Sequence, residues 1–214
     1  PTPSKKFQNG DFLFNPKLPV ATNLCRGCQT ALELSSATKE NGIQVPTGKK
    51  HKKFPKRIVL HPTSNDPKRN WSSAQFLLLA RGLRKEDYQI SFSVSPAERP
   101  DWLHVLKEGF ELPSFANITE LAVYLYESGF LIGNDSGIGH LASNLKIPTL
   151  TISGNPKRVR LWRPDWYYGQ VVTIPFPLPN FKGINLRVRE NFWQHFISVP
   201  RTLRAFHKLK ENVS

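Results

Sequence analysis

The segment 133–145, GNDSGIGHLASNL, places an aspartate, a serine, two glycines and a histidine between the apolar runs GFLI and KIPTLTISG. A strand that ends here and a helix that begins here leave the N–H groups of Ser136, Gly137 and the next residues without intrahelical partners. The positive end of the helix dipole lies behind them. Such an end is a site for phosphate or nucleotide. Each of Gly137 and Gly139 lowers helix stability by about 1 kcal/mol relative to alanine, which makes sense where backbone must approach a ligand closely. An Asp or Ser N-cap after a tight turn explains Asp135 and Ser136, but neither both glycines nor His140 one turn in. The string is neither a Walker A loop nor a G-x-G-x-x-G fingerprint.

Three further stretches carry candidate chemistry. The loop HPTSNDPKRNW, residues 61–71, offers the Thr63 and Ser64 hydroxyls and then the cations Lys68 and Arg69. Small donors and a positive charge are what a pyrophosphate requires, although a polar surface loop has the same composition. Glu98, in SPAER, follows a strand and could accept hydrogen bonds from ribose hydroxyls, or simply occupy the first turn of a helix. The basic run NPKRVRLWRPDW, residues 155–166, reads either as a phosphate contact or as a solvated loop over Trp162.

The elements that must position these residues follow from periodicity. RIVLHPTS reads as a strand and its turn, and WSSAQFLLLARGLRKE as a helix with Phe76, Leu77, Leu79, Ala80 and Leu83 on its apolar face. YQISFSV is a second strand, ERPDWLHVLKEG a helix and FELPSF a weak strand. NITELAVYLYESG is a helix with Asn117 as N-cap and Glu120 three residues on. FLIGND, SGIGHLASNLK and PTLTISG add strand, helix and strand. This alternation implies an α/β domain with a doubly wound parallel sheet, with ligands at the carboxyl ends of its strands. Residues 157–197 read as irregular, and SVPRTLRAFHKLKEN as a closing amphipathic helix. Residues 1–56 are rich in Pro, Lys, Asn and Gly, with one helix expected around Cys25 to Lys39. They read as the remnant of an N-terminal domain or as an extended arm, ending in a basic linker, GKKHKKFPKR. The Rossmann-like domain proper is expected over 57–214.

The chain of 214 residues is 39% hydrophobic, enough for a real core, and carries a formal net charge of +14. Residues 1–57 hold +8 of it and the rest +6, an excess that implies an anionic partner. No segment approaches the roughly 20 apolar residues of a membrane span, and PTPSKKFQNG lacks the apolar core of a signal peptide, so a cytoplasmic location is expected. Cys25 and Cys28 form a lone C-x-x-C; His51 and His61 fit no zinc spacing with them, so no metal site is expected.

Taken together, HPTSNDPKRNW, GNDSGIGHLASNLKIPTLTISGNP and ISVPRTLRAF resemble the C-terminal half of glycosyltransferase family 9, the ADP-heptose:lipopolysaccharide heptosyltransferases. The resemblance covers about residues 57–210, and D-S-G-x-x-H-L-A is its most specific mark. It implies a GT-B type transferase whose C-terminal Rossmann-like domain holds a nucleotide-sugar donor. By that resemblance Thr63 and Ser64 match the hydroxyl pair near the donor phosphates, Lys68 or Arg69 the loop lysine, and Glu98 the acid at the nucleoside. Asp135, Ser136, Gly137 and His140 match the motif that anchors diphosphate and sugar. It also implies inverting, metal-independent transfer of a heptose or related sugar from an ADP-activated donor to a lipopolysaccharide core or lipid-linked acceptor. No further cofactor is implied, and the work would be done in the cytoplasm with peripheral contact to the inner membrane.

Family members carry the catalytic carboxylate on an N-terminal domain. Residues 1–56 offer only Asp11, Glu33 and Glu40, none in a glycine-rich loop, so the catalytic residue stays unassigned. A basic module binding RNA or an acidic membrane surface is the alternative reading. The ordered motifs favour the transferase, and nucleic acid is the less favoured partner.

Overall fold

A computed structural model of the chain describes residues 12–44, 47–175 and 193–213. Among the described residues five strands form one parallel sheet: β1 (Phe54–His61), β2 (Gln89–Phe92), β3 (Ser128–Asn134), β4 (Thr149–Ser153) and β5 (Gly169–Thr173). Their spatial order is β2-β1-β3-β4-β5. The chain therefore leaves β1 toward one side of the sheet and β3 toward the other, and the carboxyl ends of these two neighbours are the topological switch point where such sheets bind ligands.

The pleat explains the layers. Ile58 and Leu60 of β1 face a core built with Phe76, Leu79 and Leu83 of α2 (Ser73–Lys85) and Phe206 and Leu209 of α8 (Val199–Glu211). Val59 points the other way, into a second cluster with Leu121 and Leu125 of α5 (Ile118–Tyr126) and Ala142 of α6 (Gly137–Asn144). All seven residues of β3 are buried, as a central parallel strand requires. Two of them are glycines because β1 runs close by. A Cβ on Gly129 would lie 2.0 Å from the Pro55 carbonyl oxygen, and one on Gly133 would lie 2.6 Å from that of His61.

Several expected elements are redrawn. The first helix is α1 (Val20–Ala31), not one centred on 25–39: Glu33 takes a φ of 50° and a polar run follows. The helix expected over 98–109 is two short pieces, α3 (Arg99–Trp102) and α4 (His104–Lys107). FELPSF makes only an isolated bridge from Glu111 to Ser91, since Pro113 supplies no donor to a ladder. The stretch expected to be irregular contains α7 (Pro156–Trp162) and β5; its part from 176 to 192 lies outside the described residues. The basic turn before β1 is pinned, with Lys52 N–H donating to the Tyr126 carbonyl (2.9 Å) and the Lys52 ammonium over the Tyr167 ring. The α1 region is tied on through Thr22 and Lys39, both bound to Asp165, and through the Glu40–Lys146 pair at 2.8 Å. Among the described residues no helix is long and apolar enough to cross a membrane.

The β1–β3 approach admits no side chain at position 129. Gly129→Ala should lower stability by about 2 kcal/mol or more, read as a reduced midpoint in urea denaturation. An unchanged midpoint would mean that the strands are not in this contact.

Candidate functional site

The site is assembled where β1 and β3 end. Asn134, the last residue of β3, is buried and joins the loops: its Nδ2 donates to the Pro62 carbonyl (2.6 Å) and its Oδ1 accepts from Trp71 N–H (2.9 Å). Trp71 is sunk in the core with its indole N–H on the Ile197 carbonyl (3.0 Å), so both ends of the 61–71 loop are fixed. Within the loop the Ser64 hydroxyl bonds Asn70 Oδ1 (2.7 Å), and Asp66 caps the 3-10 turn Pro67–Arg69 by accepting from Lys68 N–H.

Across from this loop, α6 opens with Ser136 at its N-cap. The Ser136 side chain makes no capping bond, and its Oγ is buried without a hydrogen-bond partner, which normally costs about 1–3 kcal/mol. Beside it Gly137 is exposed, and a Cβ there would meet nothing within 4 Å. The two glycines therefore differ. Gly137 leaves an open approach to the helix end, whereas a Cβ on Gly139 would press on Pro164 at 3.2 Å, so Gly139 serves packing and not ligand approach.

Asp135, only 6% exposed, is flanked by two guanidinium groups. Arg69 Nη2 lies 3.1 Å and Arg158 Nε 3.2 Å from the same Oδ2. Arg69 also donates to the Asp135 carbonyl and, through Nη1, to Asn65 Oδ1 (3.2 Å). Of the adjacent cations in the loop, Arg69 thus points inward, while Lys68 is exposed at the rim with its carbonyl accepting from the Trp193 indole (2.9 Å). A cavity of about 410 Å³ opens on the Arg69–Asp135–Arg158 group together with Gly137 and His140. A second, of about 180 Å³, meets the same group from the side of Lys68 and Asn155. His140 lies edge-on to Trp166 with centroids 5.4 Å apart; burial pushes its pKa down, against the opposing pull of Asp135 and the Trp162 carbonyl.

A third cavity, about 450 Å³, adjoins Ser136 and Gly137 and runs toward Glu98 between His61, Phe115, Ile118 and Ile138. Glu98 accepts three hydrogen bonds on Oε2: from the Thr63 hydroxyl (3.1 Å), Ser95 N–H (2.9 Å) and the Ser95 hydroxyl (2.7 Å). Burial pushes its pKa up, but the Ser95 and Thr63 bonds outweigh it and hold the carboxyl below its ordinary value, so Glu98 is an anion at neutral pH. His61, 8% exposed, gives its Nδ1 proton to the Ser93 carbonyl (2.8 Å), which leaves Nε2 as the acceptor in the neutral ring. Burial lowers its pKa despite Ser93 and Glu98.

All nine residues expected from sequence therefore line one or more of three adjoining cavities at the carboxyl edge. Sequence reasoning passed over Asn134, His61 as a cavity wall, and Arg158 as an individual residue. The first two carry a usable signal, since each is the last residue of a strand. Cys25 and Cys28 are free thiols, and among the described residues no three His, Cys, Asp or Glu side chains gather where they could hold a metal ion.

The cavities lie in a chain whose residues 23–170 match the family model described as glycosyltransferase family 9 (heptosyltransferase). No curated protein sequence is significantly similar to it. Among solved structures, a glycosyl transferase family 9 protein from Veillonella parvula superposes with a TM-score of 0.66 at 15% identity, over 94% of this chain and 62% of its own. Escherichia coli heptosyltransferase WaaC with ADP gives 0.64 at 13%, over 96% and 60%. E. coli ADP-heptose lps heptosyltransferase II gives 0.62 at 15%, over 94% and 65%. The chain spans between 60% and 65% of the length of these solved relatives.

The depressed pKa of His61 has a consequence for stability. The unfolded chain takes up a proton below about pH 6.5 that the folded ring refuses, so the stabilisation is complete above that value and is lost as pH falls toward the folded pKa. Urea denaturation between pH 7.5 and 5 should therefore fall more steeply for the wild type than for His61→Gln, by up to about 1.4 kcal/mol per pH unit. Parallel curves would show that the ring is not held neutral.

Proposed function

Because the chain belongs to glycosyltransferase family 9, the heptosyltransferases, we propose that its carboxyl-edge cavities bind a nucleotide-sugar donor, with ADP-heptose the expected one. The observation that carries this reading is the start of α6: a buried Ser136 hydroxyl with no hydrogen-bond partner and an open approach at Gly137, next to a guanidinium-lined cavity on one side and a largely apolar one on the other. A diphosphate satisfies the Ser136 hydroxyl and the free N–H groups, and its charge offsets the helix dipole. The nucleoside occupies the cavity toward Glu98, where an ionised carboxylate already held by Thr63 and Ser95 has Oε1 left to accept a hydroxyl proton. Phe115 and Ile118 supply the apolar wall for the base.

In the transfer, a hydroxyl of the acceptor, a lipopolysaccharide core saccharide, attacks the anomeric carbon from the face opposite the diphosphate. The carbon–oxygen bond to the outer phosphate breaks, the configuration inverts, and the acceptor proton passes to a carboxylate of the acceptor-side domain. Glu40 is unsuited to that role, being paired with Lys146 just before β4, at the other edge of the sheet. The departing diphosphate takes on one further negative charge as the bond breaks, and the preorganised α6 N–H groups and arginine-lined wall offset it, as metal-independent transfer requires. The net +14 charge suits work beside an anionic membrane leaflet.

Calorimetry should detect ADP binding by the chain. Gly137→Glu should abolish it while leaving the thermal midpoint unchanged, because an acid at the first turn of a helix is favourable and the position has room. Lys68→Ala, which removes an exposed cation at the rim, should weaken ADP binding only several-fold. No binding by the wild type at millimolar ADP, or full binding by Gly137→Glu, would refute the assignment.

A further inference from the structure

Two guanidinium groups meet the Asp135 carboxylate, and their remaining bonds separate them. Arg69 is held at both terminal nitrogens: Nη2 on the Asp135 carbonyl and carboxylate, Nη1 on Asn65. It ties the 61–71 loop to the end of β3, and moving it would release that loop. Arg158 is held through Nε alone, and its two terminal NH2 groups make no hydrogen bond among the described residues. Its side chain is half exposed and borders both guanidinium-lined cavities. Its backbone, by contrast, is fixed: Asn155 caps α7 by accepting from Arg158 N–H (3.0 Å), Pro156 opens the helix and Val159 is buried. The result is a guanidinium on a positioned helix, held at Nε by Asp135 Oδ2, with four terminal N–H donors that have no partner among the described residues.

We infer that Arg158 is the residue that grips the outer phosphate of the bound diphosphate, the one bonded to the sugar, through its free terminal N–H fork, while Arg69 and Asp135 hold the frame. The inference rests on the donor-site reading above and adds a role within it. The geometry sets the order of the phosphates. Ser136 and Gly137 are shared by the Glu98 cavity and the Arg158 cavity, so the inner phosphate sits at the α6 end and only the outer one reaches α7. A planar fork matches two phosphate oxygens at once, which a lysine ammonium does not. Arg158 therefore discriminates diphosphate from monophosphate and takes up charge as the sugar departs.

The test compares wild type, Arg158→Ala and Arg158→Lys in calorimetric titrations with ADP, AMP and inorganic pyrophosphate, with thermal midpoints recorded for each variant. Arg158→Ala should weaken ADP and pyrophosphate at least tenfold while AMP changes less than twofold, and Arg158→Lys should fall between. A merely structural role would shift all three ligands together. Equal losses for AMP and ADP, or unchanged ADP binding, would overturn the inference and leave the donor reading intact. Wild-type binding of pyrophosphate but no nucleotide would overturn the donor reading, with Arg158 still judged by its pyrophosphate arm. No binding of any of the three by the wild type would overturn both.

Discussion

Everything at the candidate site depends on how closely β1 and β3 run together. Gly129 and Gly133 remove the side chains that would hold the strands apart, and Asn134 then bridges the two carboxyl ends by bonding Pro62 and Trp71. If the strands were spaced by even one methyl group, Asn134 could not satisfy both partners, and the 61–71 loop would lose its fixed distance from α6. The Arg69 contact to Asp135 spans that same seam. Backbone proximity, set by two glycines, is thus what brings hydroxyls from one strand end within reach of helix N–H groups from another.

The charge at the seam is arranged in layers. Asp135 is nearly buried and would be costly as an isolated anion, but paired with two guanidinium groups it becomes a scaffold that leaves one net positive charge facing the cavities. Glu98, thirty-seven positions earlier in the chain but on the same edge, stays ionised by a different device, three hydrogen bonds to one oxygen. One carboxylate organises cations; the other presents a free acceptor. Asp135 and Glu98 therefore do opposite work, and their surroundings explain the division.

Much of this was legible in the residues themselves, where the determinants are local. The strand–helix alternation, the Asn117 cap that accepts from Glu120 N–H, and the turn-rich strand ends at 61 and 134 all read out of short windows. The nine candidate residues came from such windows and line adjoining cavities. What escaped depends on partners far off in sequence. β5 is a five-residue edge strand with little alternation, recognisable only through its pairing with β4. The inward choice between Lys68 and Arg69 is decided by Asp135, 66 residues away, and Arg158 gains its meaning from that same carboxylate. FELPSF has strand-like composition but only one bridge, because Pro113 limits pairing and no composition rule weighs that strongly enough.

The register of the sheet also sets unequal loop-closure costs for its strands. Leu131 of β3 pairs with Thr149 of β4, eighteen positions on, whereas Ile58 of β1 pairs with Phe130, seventy-two positions away. Closing the longer loop costs about 1.2 kcal/mol more in chain entropy, which favours pairing of β3 with β4 ahead of the β1–β3 seam. The start of α6 lies within the cheaper closure, and the 61–71 loop opposite it within the costlier one. A ligand that touched both sides would act as a clasp across the costlier of the two closures.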